Sequence, residues 1–117
     1  MRIAVGSDEK TSLTDITIDY LRAKGFDVEL YGALTGVEPD WPDVARNVAE
    51  KVASGACEEG ILFCWTGTGV SMAANKVPGI RAALCPDPMT AKGARYWNHA
   101  NVLAIGIERT SAGLARE

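Results

Sequence analysis

Residues 63–76 read FCWTGTGVSMAANK, and their chemistry begins with a thiol. Cys64 closes an apolar run, and Thr66-Gly67-Thr68-Gly69 follow it before a segment of small residues. Unpaired backbone N–H groups at a helix start form a positive end that favours a nearby thiolate. A thiolate held there can act as a nucleophile or as a base. Glycines let the backbone approach a ligand, so loop N–H groups can face a developing negative charge. The plainer alternatives are a buried strand cysteine acting as a small hydrophobe and a simple tight turn. The loop is neither a Walker A loop nor G-x-G-x-x-G, so nucleotide motifs do not apply. A thiolate base beside an oxyanion cradle points to enolisation: the base removes a proton next to a carbonyl, and N–H groups hold the enediolate.

Other polar residues could join this chemistry. Asp8 closes the first apolar run; it reads either as a turn or cap residue or as a group that binds ligand hydroxyls or steers a proton. His99, the single histidine, sits in YWNHAN, where a surface or packing role is the ordinary one. Trp41, Trp65 and Trp97 suit a core or a dimer contact, and Trp65, a large ring in a Gly/Thr loop, suits the wall of a pocket. Cys57 and Cys85 lack a glycine loop and read as structural. Three cysteines match no zinc spacing, so no metal is expected, and a reduced, cytoplasmic chain is the natural reading.

The elements that must position these residues alternate in type. Apolar runs at 2–6 (RIAVG), 27–31 (DVELY), 60–64 (GILFC), 81–85 (RAALC) and 101–105 (NVLAI) predict five strands. Leu13, Ile16, Tyr20 and Leu21 stripe a helix that Gly25 stops. Residues 32–39 read as a loop. Asp40 and Pro42 open a second helix, striped by Val44, Val48 and Val52 and ended by Ser54-Gly55. Residues 70–76 form a third, Asp87-Pro88 open a fourth that runs to about Asn98, and a fifth begins at Ser111. Such alternation predicts an α/β fold, a three-layer αβα sandwich with a five-stranded parallel sheet. The run 60–64 is the most apolar and is expected at the centre. Ligands in such sheets bind beyond the carboxyl ends of the strands, where residues 6–9, 64–67 and 85–87 fall.

Length fits one domain over residues 1–117. Apolar residues make up 47% and charged residues 23%, ordinary for a globular chain. A net charge of −3 without a Lys/Arg run argues against nucleic acid or an anionic membrane as partner. The apolar stretches are of strand length, so none is expected to span a bilayer, and the opening MRIAVGSD begins a strand rather than a signal peptide. The last helix, TSAGLARE, is short and ends without a cap, as a frayed or truncated helix would.

Taken together, IAVGSD, DWPDVARNVAEKVASG, ILFCWTGTGVSMAANKVPGIRAALC and DPMTAKGARYWNHANVLAIG resemble the ribose-5-phosphate isomerase type B / galactose-6-phosphate isomerase family of sugar-phosphate isomerases. The resemblance covers nearly the whole chain. It implies a doubly wound, Rossmann-like fold and aldose–ketose isomerisation through a cis-enediol without metal or other cofactor. It also implies active sites between two subunits, in a homodimer or a dimer of dimers. By the same resemblance Cys64 is the catalytic base and Thr66 the hydroxyl that assists proton transfer at oxygen. Gly67, Thr68 and Gly69 form the loop that stabilises the enediolate, and Asp8 and Asn98 bind the sugar. Members without the cysteine use a Glu at the position of Val70.

The departures concentrate at one half of the site. GSDEKT replaces the family's GSDHAG, so Glu9 stands where a phosphate-contacting His would be, and a carboxylate there repels phosphate. WNHAN replaces HNDAN, so Trp97 stands where the family's ring-opening His would be, with His99 two residues on. Trp65 replaces a glycine and reshapes the pocket. The arginines that usually reach a partner's phosphate lie in the family's C-terminal helix, which stops here at Glu117. These changes suggest a substrate that needs no ring opening, such as a tetrulose phosphate or another open-chain sugar. The alternatives are an ordinary pentose-phosphate isomerase that uses His99, and a non-catalytic or partner-dependent subunit of a heteromeric sugar isomerase.

Overall fold

The chain is described here by a computed structural model that covers residues 1–36 and 40–116. Five parallel strands lie in the order β2-β1-β3-β5-β4. They are β1 (Arg2–Ser7), β2 (Asp27–Gly32), β3 (Glu59–Cys64), β4 (Ala82–Leu84) and β5 (Val102–Gly106). The helices are α1 (Ser12–Ala23), α2 (Trp41–Ala53), α3 (Thr68–Ala74), α4 (Pro88–Asn98) and α5 (Ala112–Arg116). A single 3₁₀ turn, Ala33–Thr35, sits in the predicted loop; the rest of that loop at residues 37–39 lies outside the described residues.

β3 is the middle strand, as its composition requires. A strand covered on both faces reads as a continuous apolar run, and Leu62 and Phe63 are fully buried on opposite faces. On one face Ala4, Leu62 and Ala104 meet α2 and α3 through Val44, Val48, Ala49 and Val70. On the other Val5, Phe63 and Ile105 meet Leu13, Ile18 and Leu21 of α1. Helix α4 borders grooves on the α1 face but buries none of its residues.

Local chemistry explains the element ends. Thr11 and Thr14 form a reciprocal capping box at the start of α1. Asp87 accepts from the Thr90 N–H at 2.7 Å and Pro88 takes the first turn of α4. Asp40 occupies the N-cap position of α2 without capping through its side chain. Helix α3 starts at Thr68, two residues before the predicted start, because Val70 is the first residue there to carry an apolar signal. The edge strand β4 is shorter than its apolar run. On its open side the Asn75 amide takes the place of a neighbouring strand: its Oδ1 accepts from the Ala82 N–H at 2.8 Å, and its Nδ2 donates to the Ala82 carbonyl at 2.9 Å.

Helix α2 comes close to the sheet because glycines stand beneath it. A methyl added at Gly6 would lie 2.7 Å from Val44 Cγ1 and 2.8 Å from Val48 Cγ2. Gly6→Ala should therefore overpack this layer and cost about 1–3 kcal/mol. Urea denaturation should show that loss, and Gly6→Ala/Val48→Ala should recover only part of it, because the Val44 Cγ1 contact at 2.7 Å remains.

Candidate active site

The carboxyl ends of β1 and β3 hold the predicted residues side by side. In the parallel register Ser7 pairs with Phe63, so Asp8 and Cys64 leave adjacent strands at the same level. Asp8, Trp41, Cys64, Trp65, Thr66, Thr68 and Gly69 line one hollow of about 260 Å³. The Cys64 sulfur is buried at its base and accepts the Gly67 N–H at 3.2 Å. Gly67 directs that donor from a left-handed backbone, φ 83°. A side chain there would also strike Leu84 Cδ1 at 2.5 Å and the Gly106 nitrogen at 3.0 Å. Glycine is thus required at this turn, and the predicted N–H groups of the loop include one aimed at the sulfur itself.

The two threonines act as a pair. Their Oγ1 atoms are 2.7 Å apart, either able to donate, and Thr66 Oγ1 also accepts the Thr68 N–H at 3.3 Å. They separate the Cys64 hollow from a second cleft of about 510 Å³ that holds Leu84, Pro86, Gly106, Glu108, Arg109 and Thr110. Arg109 lies largely in solvent, with its Nε 3.5 Å from Glu108 Oε1.

Asp8 differs from the other carboxylates. Its Oδ1 is buried and has no hydrogen-bond partner. Burial raises its pKa above the ordinary carboxylate value, and the neighbouring Glu9 raises it further. Glu9 itself is exposed; Ser7 Oγ bridges its N–H and carbonyl in a short turn that carries the chain out of β1. Residue 9 therefore adds negative charge beside Asp8.

Trp65 stands 57% exposed at the rim, where a pocket wall was expected. Trp41 is a further wall that sequence reasoning left among core or dimer contacts. Its ring lies against Gly69, so that a methyl added there would sit 3.1 Å from the ring. The signal was the start of α2 in DWPD, which turns this ring toward the α3 start, but the sequence alone does not reveal that the two helix starts adjoin.

Asn98, Trp97 and His99 are not part of this hollow. Strand β5 runs from Val102, beside Gly60, to Gly106, beside Cys64. Helix α4 ends before β5 begins, so these residues sit a full strand length from the sulfur, about 13 Å at the usual rise. Asn98 borders a separate polar hollow with Asn75 and Arg81, and its carbonyl accepts from Arg81 Nε at 2.6 Å. His99 ends α4 in a left-handed conformation, φ 53°. Trp97 is 75% exposed and folds back over Gly93, with Tyr96 edge-on to it at 6.0 Å. Among the described residues no group of three His, Cys, Asp or Glu side chains could hold a metal ion, and no helix is long and apolar enough to cross a membrane.

The remaining cysteines lie away from the hollow. Burial and the Glu29 carboxylate, 3.5 Å from the sulfur, push the Cys57 thiol up to about 11. Burial, then Asp87, raises Cys85.

Comparison with known proteins agrees with this fold. The family described as Ribose/Galactose Isomerase matches residues 3–117. A D-erythrulose-4-phosphate isomerase of Pectobacterium atrosepticum is 42% identical over 119 residues, 100% of this chain and 78% of the relative. The galactose-6-phosphate isomerase subunit LacB of Clostridium acetobutylicum is 42% identical over 115 residues, 97% of this chain and 66% of the relative. The structure of Clostridium thermocellum ribose-5-phosphate isomerase B superposes with a TM-score of 0.91 at 43% identity, covering 98% of this chain and 78% of that one.

These surroundings predict selective alkylation. At about pH 8 iodoacetamide should modify Cys64 first, because it reacts with thiolates and burial disfavours the thiolate at Cys57 and Cys85. Peptide mass spectrometry should find Cys57 and Cys85 unmodified in the folded protein; equal labelling of all three would contradict the site geometry.

Proposed function

Since the chain belongs to the ribose/galactose isomerase family, we propose that it interconverts an aldose and a ketose of a sugar phosphate through a cis-enediol, with the Cys64 thiolate as base. The observation that carries this reading is the Gly67 N–H donated to the Cys64 sulfur at 3.2 Å, at the base of a hollow shared with Asp8, Thr66 and Thr68. The thiolate removes the proton from the carbon beside the carbonyl and returns it to the neighbouring carbon. Thr66, paired with Thr68, offers a hydroxyl to the oxygen that gains charge, and the glycine loop supplies backbone donors.

The preferred substrate is a short sugar that is already open, such as a tetrulose phosphate. Trp41 and Trp65 flank the hollow, and Trp97 stands where the family's ring-opening His would be. A relative at 42% identity is named for erythrulose 4-phosphate. Glu9 disfavours phosphate on its side of the site. Arg109, across the Thr66–Thr68 pair, is the cation within reach of a phosphate in the second cleft. A second copy completes the site by bringing its own Asn98, Trp97 and His99 to the hollow, so the working form is a homodimer or a dimer of dimers in the cytoplasm. The far placement of Asn98 equally suits a partner-dependent subunit, and a relative named as a subunit, LacB, favours keeping that second reading.

Proton NMR in D2O tests the reading. The protein is mixed separately with ribose 5-phosphate and erythrulose 4-phosphate. Deuterium should enter the carbon beside the carbonyl, faster with the four-carbon sugar, and Cys64→Ala should abolish it. Fast turnover of ribose 5-phosphate would point to a ring-opening group after all. Absence of exchange with both sugars would favour the partner-dependent subunit. Arg109→Ala should raise KM by about 10–100-fold, the cost of losing one charged contact, with kcat little changed.

A further inference from the structure

We propose that Asp8 is the acid–base partner of Cys64, carrying the proton between the two substrate oxygens during isomerisation rather than only binding a hydroxyl. This assignment deepens the isomerase reading and rests on it. The geometry begins with register: Asp8 and Cys64 leave neighbouring parallel strands at one level and line one hollow. A carboxyl in that position can reach the oxygens of a substrate whose carbon faces the sulfur.

The second observation is Asp8 Oδ1, buried and without a partner. A buried polar atom left unpaired is costly unless a ligand or a proton satisfies it. Its surroundings favour the proton. Trp41 and Trp65 border the hollow, and burial disfavours the carboxylate. Glu9, in the turn after β1, adds like charge; Lys10, the next residue, is engaged by Asp15 at 2.8 Å. From β3, the Cys64 thiolate would add a further negative charge. No compensating cation acts on Asp8 among these neighbours.

The step balances. As the Cys64 thiolate takes the carbon-bound proton, the Asp8 carboxyl gives its proton to the carbonyl oxygen, and the enediol forms. The Asp8 carboxylate then takes the proton of the neighbouring hydroxyl while the Cys64 thiol protonates the adjacent carbon. The carbonyl has moved by one carbon, and both side chains return to their starting states.

The test compares Asp8→Asn and Glu9→Gln with the wild type on whichever sugar the wild type turns over. Asn keeps the shape and a hydrogen-bonding oxygen but cannot carry the proton. Asp8→Asn should lower kcat by about 10²–10⁴-fold while KM stays within about threefold. The step as written needs the Asp8 carboxyl and the Cys64 thiolate together, so one limb of the pH profile should follow the titration of Asp8. Glu9→Gln removes one cause of its raised pKa and should move that limb to lower pH. The Glu9 variant also keeps the proposal testable if Asp8→Asn fails to fold. Asp8→Asn with kcat retained and only KM raised would overturn the proposal, as would an unmoved limb in Glu9→Gln. Wild-type protein that exchanges no proton on either sugar would instead overturn the isomerase reading, and this proposal with it.

Discussion

The hydrogen bond from the Gly67 N–H to the Cys64 sulfur is the contact on which the site depends, and it exists only because Gly67 adopts a left-handed backbone against the end of β5. That turn is tied down from the other side. The Ile107 N–H donates to the Cys64 carbonyl at 2.9 Å, and the Glu108 N–H to the Trp65 carbonyl at 3.1 Å. The exits of β3 and β5 are thus joined by backbone bonds, and the thiol is held between them. A thiol fixed this way meets a donor that is already in place, the arrangement in which preorganised donors contribute most.

Charge is divided across the same loop. Asp8 and the exposed Glu9 lie toward β1, whereas Arg109 follows β5, beyond the Thr66–Thr68 pair. A ligand with one anionic end would meet repulsion on the β1 side and attraction beyond β5. The same division explains why residue 9 can change the behaviour of Asp8 without touching a substrate. Burial first, and then the neighbouring Glu9, holds the Asp8 carboxyl above the ordinary carboxylate range.

The sheet order also sets what one chain can supply. Because α4 runs back from the carboxyl end of β4 to the amino end of β5, its last residues emerge at the face opposite Cys64. No rotamer of Asn98 can cover that distance. Helix α4 buries none of its own residues, and Tyr96 and Trp97 project into solvent. Asn98 therefore stands apart from the Cys64 hollow of its own chain, through topology rather than through any local feature of the loop.

Much of this was legible in the order of residues. Periodicity located all five strands and the helices between them, because a strand buried on both faces and a helix striped on one face leave different apolar spacings. The apolar run ending in Cys64 identified the central strand, and the glycine–threonine turn marked the sheet edge where the Cys64 hollow lies. Element ends shifted where side chains carry no apolar signal, as at Thr68, or where the Asn75 amide takes the outer edge of β4. Only the tertiary structure decided the rest. It set Asp8 level with Cys64, left Asp8 Oδ1 without a partner, laid Trp41 against Gly69, and carried Asn98 to the far end of the sheet. Each of these depends on which strands lie side by side and in what register, a relation between residues distant in the chain. Spacing along the sequence encodes which face of an element is apolar; it does not encode what that face will meet.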